Sequence, residues 1–482
     1  MISSVKFLFV AGSLVGLTGK TAQAAECQIR TGTEEMLIQG TVLTPDGPLV
    51  DGQVVVGKDG LIACVGTDCE AEHPQSSKIV CEGAVISPGF INTHEHIDFS
   101  NVGPLRHEGL RYDHRHEWRK GLRGSASLET FKETTDPRVI QWGELRHLLS
   151  GTTSILGGEM VPGLVRNLDF TDGLEGIDSP RVAYATFPLN DAAGILREGD
   201  CDYGPNAATR RQVGAFHAYV AHIGEGVDAA AENEFKCLSD AHFDNTPQEA
   251  GGGVSDDILL RTTTLVHALG LTSRDLDLVA HRGNKIVWSP RSNISLYGKT
   301  LNAREAVEKG IILALGTDWL PSGSANLLRE IACAQDYNAS HLDSYLTAKD
   351  FWEMVTVNAA EVAEMKSKIG VLQRGAVADI VVFSGGGKDP YQSVIESRED
   401  GILLLMRGGK ILLRDKTLDA FNFPSGEQCE SLTIGNSEKS ICVADEIGGS
   451  YTQLAAEMTQ QNIYPAIFED VPENEPSCEA TR

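Results

Sequence analysis

The sequence predicts an α/β protein: a (β/α)8 TIM-like barrel joined to a small β-sandwich domain that the N- and C-terminal segments build together. Two observations predict the barrel. Apolar strand-like runs alternate with helical stretches across residues 88–369, the pattern of parallel strands with crossover helices. Metal-competent side chains recur where those runs end, the face on which such barrels collect their chemistry. A third observation predicts the companion domain. Short β-like runs and Gly-containing turns fill residues 36–85 and return only at 375–413, so the economical arrangement inserts the barrel into a domain made by its two flanks.

Residues 1–24 have the layout of a cleavable secretory signal: Lys6, an apolar run over 7–17, then Ala22-Gln23-Ala24. The run is shorter than the roughly 20 residues a spanning helix needs, and no cysteine directly follows the small-residue site. Stable membrane insertion and a lipid anchor are therefore not expected, and the mature protein is expected to be periplasmic or secreted. All ten cysteines lie beyond the cut, where an oxidising compartment permits disulfides. Proximity in sequence suggests Cys69 with Cys81, Cys201 with Cys237 and Cys429 with Cys442, with Cys333 as the candidate unpaired thiol. Asp plus Glu outnumber Lys plus Arg by 67 to 41. That balance argues against nucleic acid or an anionic membrane as partner; a small-molecule substrate is expected, and a homo-oligomer is left open.

Residues 25–87 form the first part of the β-domain, with Pro45-Asp46-Gly47 and Lys58-Asp59-Gly60 as turns. The barrel follows over 88–369, with strands expected at 90–96, 152–156, 163–168, 181–189, 215–222, 263–269, 285–289 and 311–317. Residues 370–425 return to the β-domain. From 426 to 482 the chain turns irregular and acidic and carries cysteines, which predicts a strapped-down extension followed by a mobile tail.

The chemistry starts in Ile-Ser-Pro-Gly-Phe-Ile-Asn-Thr-His-Glu-His-Ile-Asp at 86–98. His94 and His96, two apart at the end of a buried strand, share one face and can hold one divalent metal together with ligands from elsewhere. A His-x-His pair alone is weak, since two ordinary polar histidines at a strand end look the same. His222 ends the run Phe-His-Ala-Tyr-Val-Ala-His, and Glu225 stands three residues beyond it. An imidazole on a metal beside a carboxylate free to carry protons is what activated-water chemistry requires. His267 closes Thr-Thr-Thr-Leu-Val-His and Asp318 closes Ile-Ile-Leu-Ala-Leu-Gly-Thr-Asp. Each residue alone is more often structural than functional; all of them at predicted strand ends point to a single site.

These motifs, with Gly-Thr-Thr at 151–153, Ser-Pro-Arg-Ser-Asn at 289–293 and Val-Asn-Ala-Ala at 357–360, resemble the amidohydrolase superfamily, in the branch of cytosine and guanine deaminases and triazine hydrolases. The resemblance implies that His94, His96, His222 and Asp318 ligate one divalent metal, zinc ahead of iron. It makes Glu225, His267 and Asp318 the catalytic residues: Asp318 helps to activate a water, His267 stabilises the developing oxyanion, and Glu225 passes a proton to the ring nitrogen or leaving group. Binuclear relatives bridge two metals with a carboxylated lysine on the fourth strand. No lysine occurs between Lys132 and Lys236, which favours one metal, with Glu159 the weak candidate for an alternative bridge.

Substrate-facing expectations are Tyr112, His114 and His116, within an Arg/His-rich stretch at 105–123 that could lie over the barrel mouth as a lid, and Arg291 as an anion contact. Trp319 is expected as an apolar wall. The bland alternative for 105–123 is a solvated helix paired with local acids. The reading is an exported metal-dependent amidohydrolase acting on a non-peptide C–N bond, most simply deaminating or opening a cyclic amidine or amide. An exported amidase or dipeptidase of the same superfamily, and a non-catalytic metal- or ligand-binding barrel, are the rivals; the latter has no need of Glu225.

Overall fold

The computed structural model describes residues 27–482 apart from 34, 107–108, 129–130, 247–251, 388, 421–427 and 469. The expected signal at 1–24 and His107 of the basic stretch lie outside the described residues. Strands β1 (Cys27–Arg30), β2 (Met36–Thr44), β3 (Gly47–Val56), β4 (Ile62–Gly66) and β5 (Ser77–Pro88) come from the N-terminal flank. Next come β6 (Phe90–Asn92), β7 (Thr152–Ile155), β8 (Arg166–Asn167), β9 (Ala183–Ala185), β10 (Tyr219–Ile223), β11 (Thr263–His267), β12 (Lys285–Trp288) and β13 (Ile312–Leu315). The C-terminal flank adds β14 (Ile380–Phe383), β15 (Ile402–Arg407), β16 (Lys410–Asp415), β17 (Glu430–Ile434) and β18 (Ser437–Ile441).

The two flanks do meet, but as one hydrogen-bonded mixed sheet of ten strands, where the sequence suggested a sandwich. Its order is β17-β18-β16-β15-β14-β5-β2-β3-β4, with β1 on β5. The seam between the flanks is the antiparallel pair β5/β14, Val85 opposite Phe383 and Pro88 opposite Ile380. Gly89 N–H then donates to Asp379 O, and Phe90 N–H to Gly151 O, so the chain passes directly from this sheet into β6. The expected irregular extension is also corrected: β17 and β18 extend the sheet, and residues Tyr451–Gln460 form a helix capped by Ser450.

All eight expected central strands exist, as parallel sheets β6-β7-β8 and β9-β10-β11-β12-β13. Alternation sorts their faces. Val220, Val266, Val287 and Ala314 join one apolar cluster with Ala359, Ala360 and Val362 of the Val357–Val362 helix. Their chain neighbours Ala221, Leu265, Ile286 and Leu313 join another. His222, two residues past Val220, thus inherits the first face. Several strands are shorter than expected. The regular strand expected over 90–96 stops at Asn92, although Glu95 N–H still donates to Leu156 O at 2.8 Å.

The disulfides are Cys27–Cys81, Cys64–Cys69, Cys201–Cys237, Cys333–Cys478 and Cys429–Cys442. Two suggested pairs form. Cys69 and Cys81 instead take separate partners, because β1 runs antiparallel to β5 with Cys27 opposite Cys81. Cys333 is not free: it holds Cys478 across 145 residues. The tail expected to be mobile is therefore fastened. Glu475 pairs with Arg329 at 2.5 Å and Arg291 at 3.3 Å, and the backbone N–H groups of Thr481 and Arg482 donate to Gly298 O at 2.7 and 3.0 Å.

Candidate metal centre and its cavity

His94, His96, His222, His267 and Asp318 converge. Nε2 of His94 and of His96 lie 3.3 Å apart, and Asp318 Oδ1 is 3.3 Å from the first and 3.6 Å from the second. Ligands at about 2.0 Å from a tetrahedral divalent ion are separated by about 3.3 Å. The donor atoms of His94, His222 and His267 form a second group within 4.8 Å of one another, sharing His94 with the first. His267 Nε2 and His222 Nδ1 are buried without a hydrogen-bond partner. These residues fit a divalent metal.

Local structure aims them. His94 Nδ1 meets Ser289 Oγ at 2.9 Å, and His267 Nδ1 meets Asn293 Oδ1 at 2.9 Å, which leaves the Nε2 atoms for the centre. Gly316 is needed where β13 ends, because a Cβ there would come within 2.4 Å of His94 Cβ. Asp318 N–H donates to His94 O. His267 follows Val266 and by alternation belongs to the opposite face, yet it adopts a left-handed backbone, φ 69°, as does Asp318 at φ 62°. Such conformations cost about 1–3 kcal/mol each and cluster at functional sites; here they turn both side chains inward.

Burial pushes the His94 and His222 imidazoles well below their ordinary range, and the neighbouring histidines push the same way. Both are neutral at physiological pH and keep a lone pair to offer. Burial raises the Asp318 carboxyl, against the pull of His267 and His96. For Glu225 burial is the largest influence and acts upward, but His267, Arg115 and the Tyr297 hydroxyl together outweigh it and hold the carboxyl below its usual value. Glu225 Oε2 is 3.6 Å from His267 Nε2, and Tyr297 Oη donates to Oε1 at 2.8 Å. Ser292 Oγ donates to Asp318 Oδ2 at 2.6 Å.

The centre opens into a cavity of about 550 Å³ whose walls include His96, His222, Glu225 and Asp318. Trp319 lines it. Sequence reasoning missed most of the remaining wall, including Phe99, Trp118, Phe131, Tyr184 and Phe187. Tyr184 sits on the fourth central strand, β9, the position at which a bridging lysine was sought. Glu159 is exposed, which removes the alternative bridge.

Four substrate expectations are corrected. Tyr112 packs with Leu269, Leu296 and Tyr297 in an apolar cluster behind the cavity wall and does not itself line the cavity. His114 and His116 face backwards into a buried ion network, His114 Nε2 3.1 Å from Glu234 Oε1 and His116 Nε2 2.7 Å from Asp191 Oδ2. Arg115 lies among them, 2.7 Å from Asp191, 3.3 Å from Glu234 and 3.9 Å from Glu225. His114, His116 and Glu234 could geometrically hold a cation, but the guanidinium already supplies the positive charge. Within this stretch Arg115, Trp118 and Arg119 form cavity wall.

Arg291, the fourth, spends its donors elsewhere. It binds Ser324 Oγ at 2.5 Å, Arg329 O at 2.9 Å and Pro476 O, with Glu475 alongside. It braces the helix Pro290–Tyr297, which carries Ser292 and Asn293. Arg291→Met should therefore lower the unfolding free energy by about 3–5 kcal/mol, the cost of stranding buried carboxylates. Urea unfolding checks this, and the salt dependence of KM should be unaltered.

Residues 212–412 match the model of the amidohydrolase family. That stretch of the chain is similar to the amidohydrolase family. The matched stretch includes His222, Glu225, His267 and Asp318. A 5-methylthioadenosine/S-adenosylhomocysteine deaminase of Thermococcus onnurineus is 27% identical over 377 residues, 70% of this chain and 85% of that one. A 5'-deoxyadenosine deaminase of Methanopyrus kandleri is 23% identical over 433 residues, 79% of this chain and 95% of the relative. Among solved structures, a zinc-bound adenosine deaminase of Xanthomonas campestris superposes with TM-score 0.56 at 16% identity, covering 89% of this chain and 97% of its own. A zinc-complexed atrazine chlorohydrolase of Arthrobacter aurescens gives TM-score 0.56 at 18% identity over 78% of this chain and 95% of its own. These two likenesses concern the fold.

Proposed function

We propose that the protein is an exported metal-dependent amidohydrolase that cleaves a non-peptide C–N bond, deaminating or opening a cyclic amidine or amide. One observation carries the reading: four histidines and Asp318 face one point beside a carboxylate, Glu225, that is held on its far side by Tyr297. The deaminase names of the sequence relatives support hydrolysis at an amino-bearing carbon. In this reading the eight parallel strands act as one closed barrel. That is supported by Val182 N–H donating to Leu168 O between β8 and β9, and by the parallel bridge Glu95–Asp318 between β6 and β13. Export is supported by five disulfides among the described residues.

His94, His96, His222 and Asp318 would hold the metal, zinc ahead of iron, which when bound supplies a Lewis acid that makes water nucleophilic near neutral pH. Asp318 takes a proton from the attacking water; the Ser292 hydroxyl keeps its carboxylate turned to the centre. His267, fixed through Nδ1 by Asn293, presents Nε2 to the oxygen on which charge develops. Glu225 carries a proton to the departing nitrogen. The absence of a lysine from β9 supports one metal.

Metal analysis of the mature protein, combined with an ammonia-release screen over purines, pyrimidines, triazines and N-acyl or dipeptide amides, tests this. About one metal per chain and ammonia from a heterocycle is expected. Two metals, or amino-acid release without ammonia, would overturn it in favour of an amidase or peptidase.

A further inference from the structure

Two polar groups in the cavity wall have no work in the chemistry above. The Asp98 side chain is about nine-tenths buried, and its Oδ1 has no hydrogen-bond partner. No side-chain donor among the described residues reaches the carboxylate. The Tyr184 hydroxyl is buried and equally without a partner. Both residues line the cavity and flank His96: Asp98 stands two residues past it, and the Tyr184 ring centre is 6.3 Å from the His96 ring and 5.7 Å from the His222 ring. A buried polar group left unpaired costs about 1–3 kcal/mol, and unpaired groups in a binding cavity are the places where a ligand supplies the missing partner. Oδ1 lies against Gly158, where a Cβ would come within 2.9 Å of it.

Much of the rest of the cavity wall is aromatic. Trp118 stacks on Trp319 with ring centres 5.0 Å apart, and Phe99 and Phe131 present edges to Trp319 at 5.2 and 6.2 Å. Flat apolar walls select flat ligands. One acceptor beside one donor selects the ligand's edge.

We propose that Asp98 and Tyr184 read the polar edge of a planar heterocycle, Asp98 accepting from a ring N–H and the Tyr184 hydroxyl donating to the adjacent carbonyl or ring nitrogen, while the ring faces lie against the Trp118–Trp319 wall. This rests on the hydrolase reading of the site and narrows its substrates to rings with an N–H next to an acceptor. N-alkylated rings are discriminated against.

The test is equilibrium binding of quinazolin-4-one and 3-methylquinazolin-4-one to the zinc-loaded protein, followed by quenching of tryptophan fluorescence. The pair differs only in the N–H that Asp98 would accept. Wild type should bind the first about 10- to 100-fold more tightly, the worth of one hydrogen bond to a charged acceptor. Asp98→Asn, which keeps the shape and loses the charge, should cut that preference severalfold, whereas steric rejection of the methyl group would leave it intact. Tyr184→Phe should weaken both probes alike, because both keep the carbonyl. Equal affinity of the probes for wild type, binding of neither, or an unchanged preference in Asp98→Asn would overturn the proposal. Failure of the hydrolase reading shows separately, as no ammonia from any heterocycle in the screen above.

Discussion

Glu225→Gln should retain its metal and lose turnover by about 10²–10⁴-fold, the usual contribution of one positioned proton carrier. The substitution keeps shape and the hydrogen bond from Tyr297, whose hydroxyl can still donate to the amide oxygen. It removes only the capacity to take up and release a proton. Because the carboxyl of Glu225 is held below its ordinary value chiefly by His267 and Arg115 against the effect of burial, the wild-type group is ionised at neutral pH and ready to accept. Elemental analysis together with kcat separates the outcomes. Normal turnover with normal metal would show that the proton travels by another group.

The larger loss should come at His94. His94→Ala is expected to abolish activity and to weaken metal binding by well over the roughly 10–100-fold that removing a supporting contact costs. His94 is fully buried, belongs to both donor groups and is fixed by Ser289 on one side and Gly316 on the other. His96→Ala should lose less metal: its side chain is 16% exposed, and water can take its place. Metal titration of the two variants ranks them, and a His94→Ala protein that kept wild-type metal content would show that the centre lies elsewhere.

What the sequence made legible follows from which side chains obey strand alternation. His222 was readable because it repeats the face of Val220, and His94 and His96 because a two-residue spacing survives even though the regular strand ends at Asn92. His267 was placed at the right end of its strand, but the left-handed backbone that turns it inward has no pattern to announce it. Tyr184 escaped notice for a related reason: one tyrosine in a three-residue strand looks like core until its hydroxyl is found without a partner. The errors at His114, His116 and Arg291 share a cause. Each was read as facing substrate, whereas Asp191, Glu234 and Glu475 arrive from distant segments and pair with these side chains inside the protein. Disulfides divided less cleanly: Cys201–Cys237 and Cys429–Cys442 were readable from proximity, Cys27–Cys81 and Cys333–Cys478 depend on tertiary neighbours, and Cys64–Cys69 was missed although its partners are 5 residues apart.

The fastening of residues 475–482 has a consequence for how the molecule is made. In the chain-entropy description, closing a loop of 145 residues removes about 5 kcal/mol of freedom from the unfolded chain. The clasp holds Arg291 and Gly298, at the two ends of the helix that supplies Ser292 and Asn293 to the centre. A chain emerging from its N-terminus presents every metal-facing side chain before the residues that clasp this helix exist. The bond that limits the unfolded chain also anchors the helix whose Ser292 and Asn293 hold Asp318 and His267 in place.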